Sequence, residues 1–261
     1  MVVLNIFTKW YSMRRFFKSC LIFCLLNFTI FIENNLFAQG KQTSVIDTPT
    51  AFTIARGTYK VSLLEYDNGG MEFKTFLGLH DIVYLGVSMD VQSAIGRDDP
   101  QPNVPGVIAR IKFTDGHESF PIAIAAGYDS FYTGYEGREQ EEIKNEVNRV
   151  IYGPYLVFTG SIYLLDAEQY LSLGIRTPTQ PDYKPDDSSY FISLDIPIGE
   201  FFRLALEGER IYWDFKDPED WLFNTGIKFN YFDEIIFTFA VIFEHDEKPN
   251  RIIRIEYHGQ F

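Results

Sequence analysis

The chain has 261 residues, a formal net charge of −13, 46% hydrophobic and 17% aromatic content. Such an acidic balance lacks the basic footprint of a nucleic-acid binder. The only two cysteines, Cys20 and Cys24, sit near the N-terminus, which excludes disulfides, cysteine-held zinc and thiol nucleophiles from everything downstream.

Residues 13–38 read MRRFFKSCLIFCLLNFTIFIENNLFA. Arg14, Arg15 and Lys18 form a basic region, Leu21 to Ile32 an apolar one, and Ala38 offers a small residue for cleavage before Gln39. This is the layout of a secretory signal peptide, with Met13 a candidate true start. The apolar run is short of the ~20 residues that a spanning helix needs. The expected organisation is a signal peptide over 1–38, a short periplasmic segment over 39–56, and one β-domain over 57–261.

From there the chain reads as strand after strand. The spacing predicts strands at 57–68, 70–79, 81–95, 105–115, 118–132, 150–165, 167–177, 188–198, 200–213, 221–232, 234–246 and 250–261. In IVYLGVSMDV (82–91), Val83, Leu85, Val87, Met89 and Val91 share one face, with Ser88 and Asp90 opposite. In 221–231, Phe223, Ile227, Phe229 and Tyr231 oppose Asn224, Gly226, Lys228 and Asn230. Period-two patterning marks strands with unlike faces. In 200–213 the alternation fails at Arg210.

Connections alternate in length. Short ones (LHD at 79–81, TDGHE at 114–118, LDAE at 165–168, GE at 199–200, FDE at 232–234) separate longer ones rich in proline or charge. The long ones are GRDDPQPNVPG at 96–106, GYEGREQEEIKNEVN at 134–148, TPTQPDYKPDDSS at 177–189, DFKDPED at 214–220 and HDEKPN at 245–250. In an up-and-down barrel successive hairpin ends fall on opposite rims, so one rim carries the short turns and the other nearly all the long loops. That asymmetry, with an even strand number, is the pattern of transmembrane β-barrels. The expected fold is all-β: a closed antiparallel up-and-down transmembrane barrel of about 12 strands, with both termini on the short-turn side.

The chain closes on RIIRIEYHGQF, with Ile253, Ile255, Tyr257 and Phe261 on one face and Arg254, Glu256 and His258 on the other. The terminal Phe261 with Tyr257 before it resembles the C-terminal signature of bacterial outer-membrane barrels. That resemblance implies reading by the barrel-assembly machinery and insertion among outer-membrane lipid and lipopolysaccharide. The stretches TPTAFTIARGTYKVSLLEYDNGGM (48–71) and FPIAIAAGYDSFYTG (120–134) resemble the opening of YjbH-type outer-membrane barrels, which are associated with exopolysaccharide operons and are usually much longer.

The charges expected to face the lumen are Lys60, Glu72, Lys74, Asp90, Arg110, Lys112, Asp129, Arg176, Asp195, Arg203, Glu207, Glu209, Lys228, Glu244, Arg254 and Glu256. Two readings stand side by side: a polar channel that orients a small solute or polysaccharide, or a salt-bridge network that fills a narrow barrel. Glu136, Glu139, Glu141, Glu142 and Glu146 make an acidic outer loop without the spacing of a calcium loop. His245 and Asp246, near Asp217, Glu219 and Asp220, offer a rim-site hydrolase as an alternative, and a soluble periplasmic ligand-binding barrel is another. Trp221, Tyr231, Tyr212, Trp213, Tyr152 and Tyr163 sit near strand ends, where a barrel carries its aromatic girdle. No cofactor or metal motif is present. The expectation is a porin-like conduit or a structural barrel of the cell envelope.

Overall fold

Alternating apolar and polar residues commit most of the chain to strands whose two faces need different surroundings. The computed structural model describes residues 41–261 except 67–68, 98, 118–119, 132–150, 165–166, 178–187, 213–220, 233 and 244–247. In chain order the strands are β1 (Thr58–Tyr66), β2 (Gly70–His80), β3 (Val83–Gln92), β4 (Gln101–Pro102), β5 (Gly106–His117), β6 (Phe120–Phe131) and β7 (Ile151–Leu164). They continue as β8 (Ala167–Arg176), β9 (Ser189–Ile198), β10 (Phe202–Tyr212), β11 (Leu222–Tyr231), β12 (Ile235–Phe243) and β13 (Asn250–Gln260).

All pairings are antiparallel, and the ladder runs β2-β1-β13-β12-β11-β10-β9-β8-β7-β6-β5-β3. A pairing of β2 with β3 joins the two ends, so twelve strands form a closed barrel. Each expected strand is present, with its ends shifted by a few residues. The two-residue β4 was not foreseen; it laps onto the long-loop end of β3 through Val91 and Gln92 and adds no stave to the barrel.

The faces are the reverse of a soluble protein's. On the outside Phe73, Leu85, Val87, Phe223, Ile227 and Phe239 are each between 42% and 56% exposed. On the inside Glu72, Asp90, Arg203 and Lys228 are at most 1% exposed. An apolar outer surface of this extent requires hydrocarbon around it, and closure satisfies the backbone groups that hydrocarbon cannot. The arrangement expected of a soluble barrel, with aromatics turned inward, is not the one adopted.

Local departures have local causes. Arg210, where the alternation fails, has φ of 55°, and the β9–β10 register shifts between Gly208 and Ile211. This bulge returns the strand to register after one extra residue. Two cross-strand glycines make room for interior rings. Gly127 faces Tyr155 across β6 and β7, and Gly174 faces Phe191 across β8 and β9. A Cβ at either would collide with the partner ring.

Val87→Lys, on the outer face midway along β3, is expected to cost about 2–4 kcal/mol of folding free energy in lipid. Ser88→Ala, one residue along on the inner face, removes a hydrogen bond to the Ser130 carbonyl (2.6 Å) and is expected to cost about 0.5–1.5 kcal/mol. Urea unfolding of the refolded barrel in vesicles checks the order of the two.

Candidate functional site: a lumen filled by an N-terminal hairpin

Residues 42–54 lie within the barrel. Val45, Ile46 and Ala51 are fully buried, and Thr48 and Thr50 are each 1% exposed. Much of the stretch 39–56 expected ahead of the barrel is therefore an internal element. Its backbone turns back on itself: Val45 N donates to Thr48 O (3.0 Å) and Thr50 N to Thr43 O (3.1 Å), with Ser44 opposite Pro49. Pro49 sits where the hairpin needs no amide donor, so its missing N–H costs nothing. Past the hairpin, the Arg56 amide donates to Asp81 Oδ1 (3.0 Å) and the Gly57 amide to Gly78 O (3.0 Å). These bonds tie the second leg to the β2–β3 turn on the short-turn rim.

The hairpin fits the inner wall by both chemistries. Val45 and Ile46 pack with Leu64, Leu222, Ala240, Ile242 and Ile252. Ala51 and Phe52 pack with Ala123, Ala125, Tyr155, Val157, Tyr170 and Phe191, and the Phe52 ring meets Tyr170 edge-on at 5.1 Å. Ile54 joins Phe76, Tyr84 and Ile108. Fully burying an aliphatic or aromatic side chain of this size contributes about 1.5–3 kcal/mol each.

Polar contacts hold the tip. The Glu207 carboxylate accepts from the amides of Ile46, Asp47 (3.0 Å) and Thr48 (2.9 Å) and from Thr48 Oγ1 (2.6 Å), while Asn224 Nδ2 donates from the wall (3.1 Å). Arg254 pairs with Asp47 at 2.5 Å and donates to the Ile46 carbonyl. Arg110 Nη1 donates to Thr43 O and Phe52 O, both at 2.8 Å. Lys228 Nζ donates to Ser44 O (2.9 Å), and Lys60 Nζ to Thr43 Oγ1 (2.7 Å). Hydrogen bonds with one charged partner are about twice as strong as neutral ones.

Other charges pair within the wall. Lys60 meets Glu256 (3.0 Å), Lys74 meets Glu72 (2.8 Å), Arg176 meets Asp129 (3.1 Å) and Arg203 meets Asp195 (2.8 Å). Asp90 accepts from Tyr66 Oη and Asn103 Nδ2, both at 2.6 Å, and Glu209 accepts from Asn224 (3.3 Å). A row of guanidinium–ring contacts lines one side: Arg110 lies over Tyr84 (5.0 Å) and Tyr155 (5.5 Å), and Arg176 over Tyr155 and Phe191 (5.6 Å each). One pocket of about 30 Å³ between hairpin and wall is bordered by Thr43, Asp47, Lys74, Tyr84 and Arg254.

Of the residues expected in the lumen, Lys60, Glu72, Lys74, Asp90, Arg110, Asp129, Asp195, Arg203, Glu207, Glu209, Lys228, Arg254 and Glu256 are buried. Arg176 is half-buried, as is Lys112, which pairs with Asp115 (2.5 Å) near the short-turn rim. Glu244 lies outside the described residues, as do the acidic loop 136–146 and His245, Asp246, Asp217, Glu219 and Asp220. Trp213 and the side chains of Tyr152 and Tyr212 also fall outside the description. Tyr163 and Tyr231 are exposed at 74% and 49%. Tyr257 points outward, and Phe261 donates its amide to Gly57 O (3.0 Å) with its ring stacked on Tyr59 at 6.3 Å. Among the described residues no group of three or more His, Cys, Asp or Glu side chains is placed to hold a metal ion.

No family model and no curated protein matches the chain. Solved structures do overlap it. The "KdgM porin" shares 13% identity over 78% of this chain and 99% of its own, with a TM-score of 0.43. The outer membrane protein Omp33 of Acinetobacter baumannii shares 8% over 78% and 97%, TM-score 0.38. The N-terminal β-barrel domain of OprF from Pseudomonas aeruginosa shares 8% over 79% and 100%, TM-score 0.25. Overlaps this shallow carry no argument about function.

Asp47→Ala leaves Arg254 buried without its carboxylate, and breaking a buried pair in this way costs about 3–5 kcal/mol. Hydrogen exchange is expected to rise selectively at the amides of 45–48, with the wall strands unchanged. From its own faces and closure, the chain is a twelve-stranded transmembrane β-barrel whose lumen is filled by its own N-terminal hairpin.

Proposed function

We propose that the protein is a porin-like outer-membrane barrel, closed at rest, that conducts small polar solutes when the hairpin leaves the lumen. One observation carries this reading: much of the material filling the barrel is a separate hairpin, added to the side chains of the wall. It is covalently continuous with the wall at β1 alone, and its second leg is tied to the short-turn rim. No hairpin residue is part of the wall's ladder or of the pairs Lys60–Glu256, Lys74–Glu72, Arg176–Asp129 and Arg203–Asp195. What the hairpin would vacate is a passage lined by charges of both signs, the lining of an aqueous pore.

In this reading residues 1–38 are a cleaved signal peptide, the short turns and both ends of the barrel face the periplasm, and the long loops face outward among lipopolysaccharide. Tyr257 and Phe261 serve assembly by the barrel-assembly machinery. Polysaccharide as a solute, or a role in exopolysaccharide biology, rests on the sequence resemblance alone.

The test is conductance of the refolded mature protein in planar bilayers, after a mobility shift between unboiled and boiled samples has shown a closed barrel. The intact chain is expected to be nearly silent. A chain lacking residues 41–54 is expected to conduct on the order of tenfold more or better, as a lumen of this strand number allows once emptied. Silence from both, with the barrel folded, would leave a structural barrel.

A further inference from the structure

The wall holds the hairpin by main-chain atoms on both legs. Along the first leg and turn, Arg110 Nη1 donates to Thr43 O (2.8 Å), Lys228 Nζ to Ser44 O (2.9 Å) and Arg254 to Ile46 O. The Glu207 carboxylate accepts the three successive amides of Ile46, Asp47 and Thr48. On the second leg Thr159 Oγ1 accepts the Ala51 amide (2.8 Å), and Arg110 Nη1 donates to Phe52 O as well (2.8 Å). Side-chain bonds from Thr43, Asp47 and Thr48 add to these. The carbonyls and amides in this register are groups that a peptide of another sequence also carries.

Net charge gives this wall no preference. Its cations stand among acids: Glu256 beside Lys60, Asp129 beside Arg176, Asp195 beside Arg203, Glu207 and Glu209 on Asn224, and Asp90 held by Tyr66 and Asn103. Hydrogen bonding and shape remain. Two apolar recesses flank the main-chain contacts. Val45 and Ile46 fill one, with Leu64, Leu222, Ala240, Ile242 and Ile252 around them. Phe52 fills the other, against Tyr155, Tyr170 and Phe191. Main-chain bonds for affinity and pockets for side chains are the two parts of a site that takes a peptide. A sugar offers hydroxyls, but neither a run of amides for one carboxylate nor aliphatic side chains for the recess.

We infer that the inner wall is a peptide-binding site, and that the solutes taken up when the hairpin leaves are short peptides of low charge bearing aliphatic or aromatic side chains. The inference rests on the conduit reading and names its solute class. The hairpin occupies the seat as an intramolecular peptide. An incoming peptide replaces it group for group, its amides on Glu207 and its carbonyls on Arg110, Lys228 and Arg254.

Block of conductance by added peptides tests it. Two opened forms are used: the chain lacking 41–54, and a full-length chain carrying Ile46→Gly and Phe52→Gly, which removes two apolar anchors, leaves the wall sequence native and serves where the deletion does not assemble. The probes are three acetylated, amidated hexapeptides, with maltotriose as the comparison solute. The first is TSVIDT, the sequence of 43–48. The second is AAVIDT, which keeps the main chain and the apolar pair. The third is TSVIDT with ester oxygens in place of the N–H groups of its Ile, Asp and last Thr, the three that Glu207 accepts. The first two are expected to block at concentrations within roughly tenfold of each other, and the ester form to need on the order of a hundredfold more, since it leaves a buried carboxylate without its donors. Glu207→Ala in the opened barrel is expected to bring the TSVIDT and ester concentrations together, because the group that tells them apart is gone. No block, equal block by TSVIDT and its ester form, or block by maltotriose at the same concentration would overturn the peptide site while leaving the conduit standing. Absence of conductance from folded barrels of both opened forms would overturn the conduit and its solute class together.

Discussion

Everything in this molecule depends on the closure of one hydrogen-bonded ladder. In hydrocarbon an unpaired backbone amide or carbonyl costs several kcal/mol, so a sheet with an apolar outer face cannot keep a free edge. The β2–β3 pairing removes the edge, with a register shift between Gly78 and His80 at its short-turn end. Once the ladder is closed, the pleat decides the rest. Residues that alternate outward must suit lipid, and their neighbours are committed to an interior that water reaches only through the ends.

That interior has to be dealt with. Barrels of about eight strands are filled by wall side chains alone, and much larger ones hold water. Twelve strands lie between, and here the filling is a piece of main chain. The hairpin suits buried ions because peptide groups are donors and acceptors with no net charge. Glu207 would be a costly buried carboxylate if left alone. Three successive amides and a hydroxyl turn it into a multiply bonded anchor. The carbonyls of Thr43, Ser44, Ile46 and Phe52 do the corresponding work for the wall's cations.

The strands were legible because period two is a local property. Four or five residues such as Val83, Leu85, Val87 and Met89 are enough to orient a strand, and the alternation of short and long connections then gives the topology. The inner-face residues followed from the same alternation, since each must point away from lipid. The hairpin was not legible as an internal element. QTSVIDTPTAFTI is too short and too mixed to show a period, and its seat is built from residues some 160 to 208 positions away, at Glu207 and Arg254. A signal was nevertheless present. IIFTFAVIF at 235–243 is apolar on both faces apart from Thr238, and Leu64, Ile108, Val157 and Ile252 fall on faces otherwise reserved for polar residues. An empty aqueous lumen has no use for buried aliphatic side chains, so they mark the presence of an apolar occupant.

The two sets of lumen bonds also differ in what they make rigid. Lys60 with Glu256 and Arg203 with Asp195 each join neighbouring strands, while Arg176 with Asp129 reaches across β7, so these pairs reinforce a wall already fixed by its ladder. The bonds to the hairpin reinforce nothing in the wall; they hold a second body within it. A protein that needed only a solid barrel could have completed the first set with larger wall side chains and had no need of the second. Donors such as Arg110 lie over the rings of Tyr84 and Tyr155 while bonded to main-chain carbonyls of the hairpin, so wall contacts of their own help to hold them in place. Rigidity of the wall and a separately held filling are therefore compatible here, because the interactions that provide each are carried largely by different residues, with Lys60 serving both.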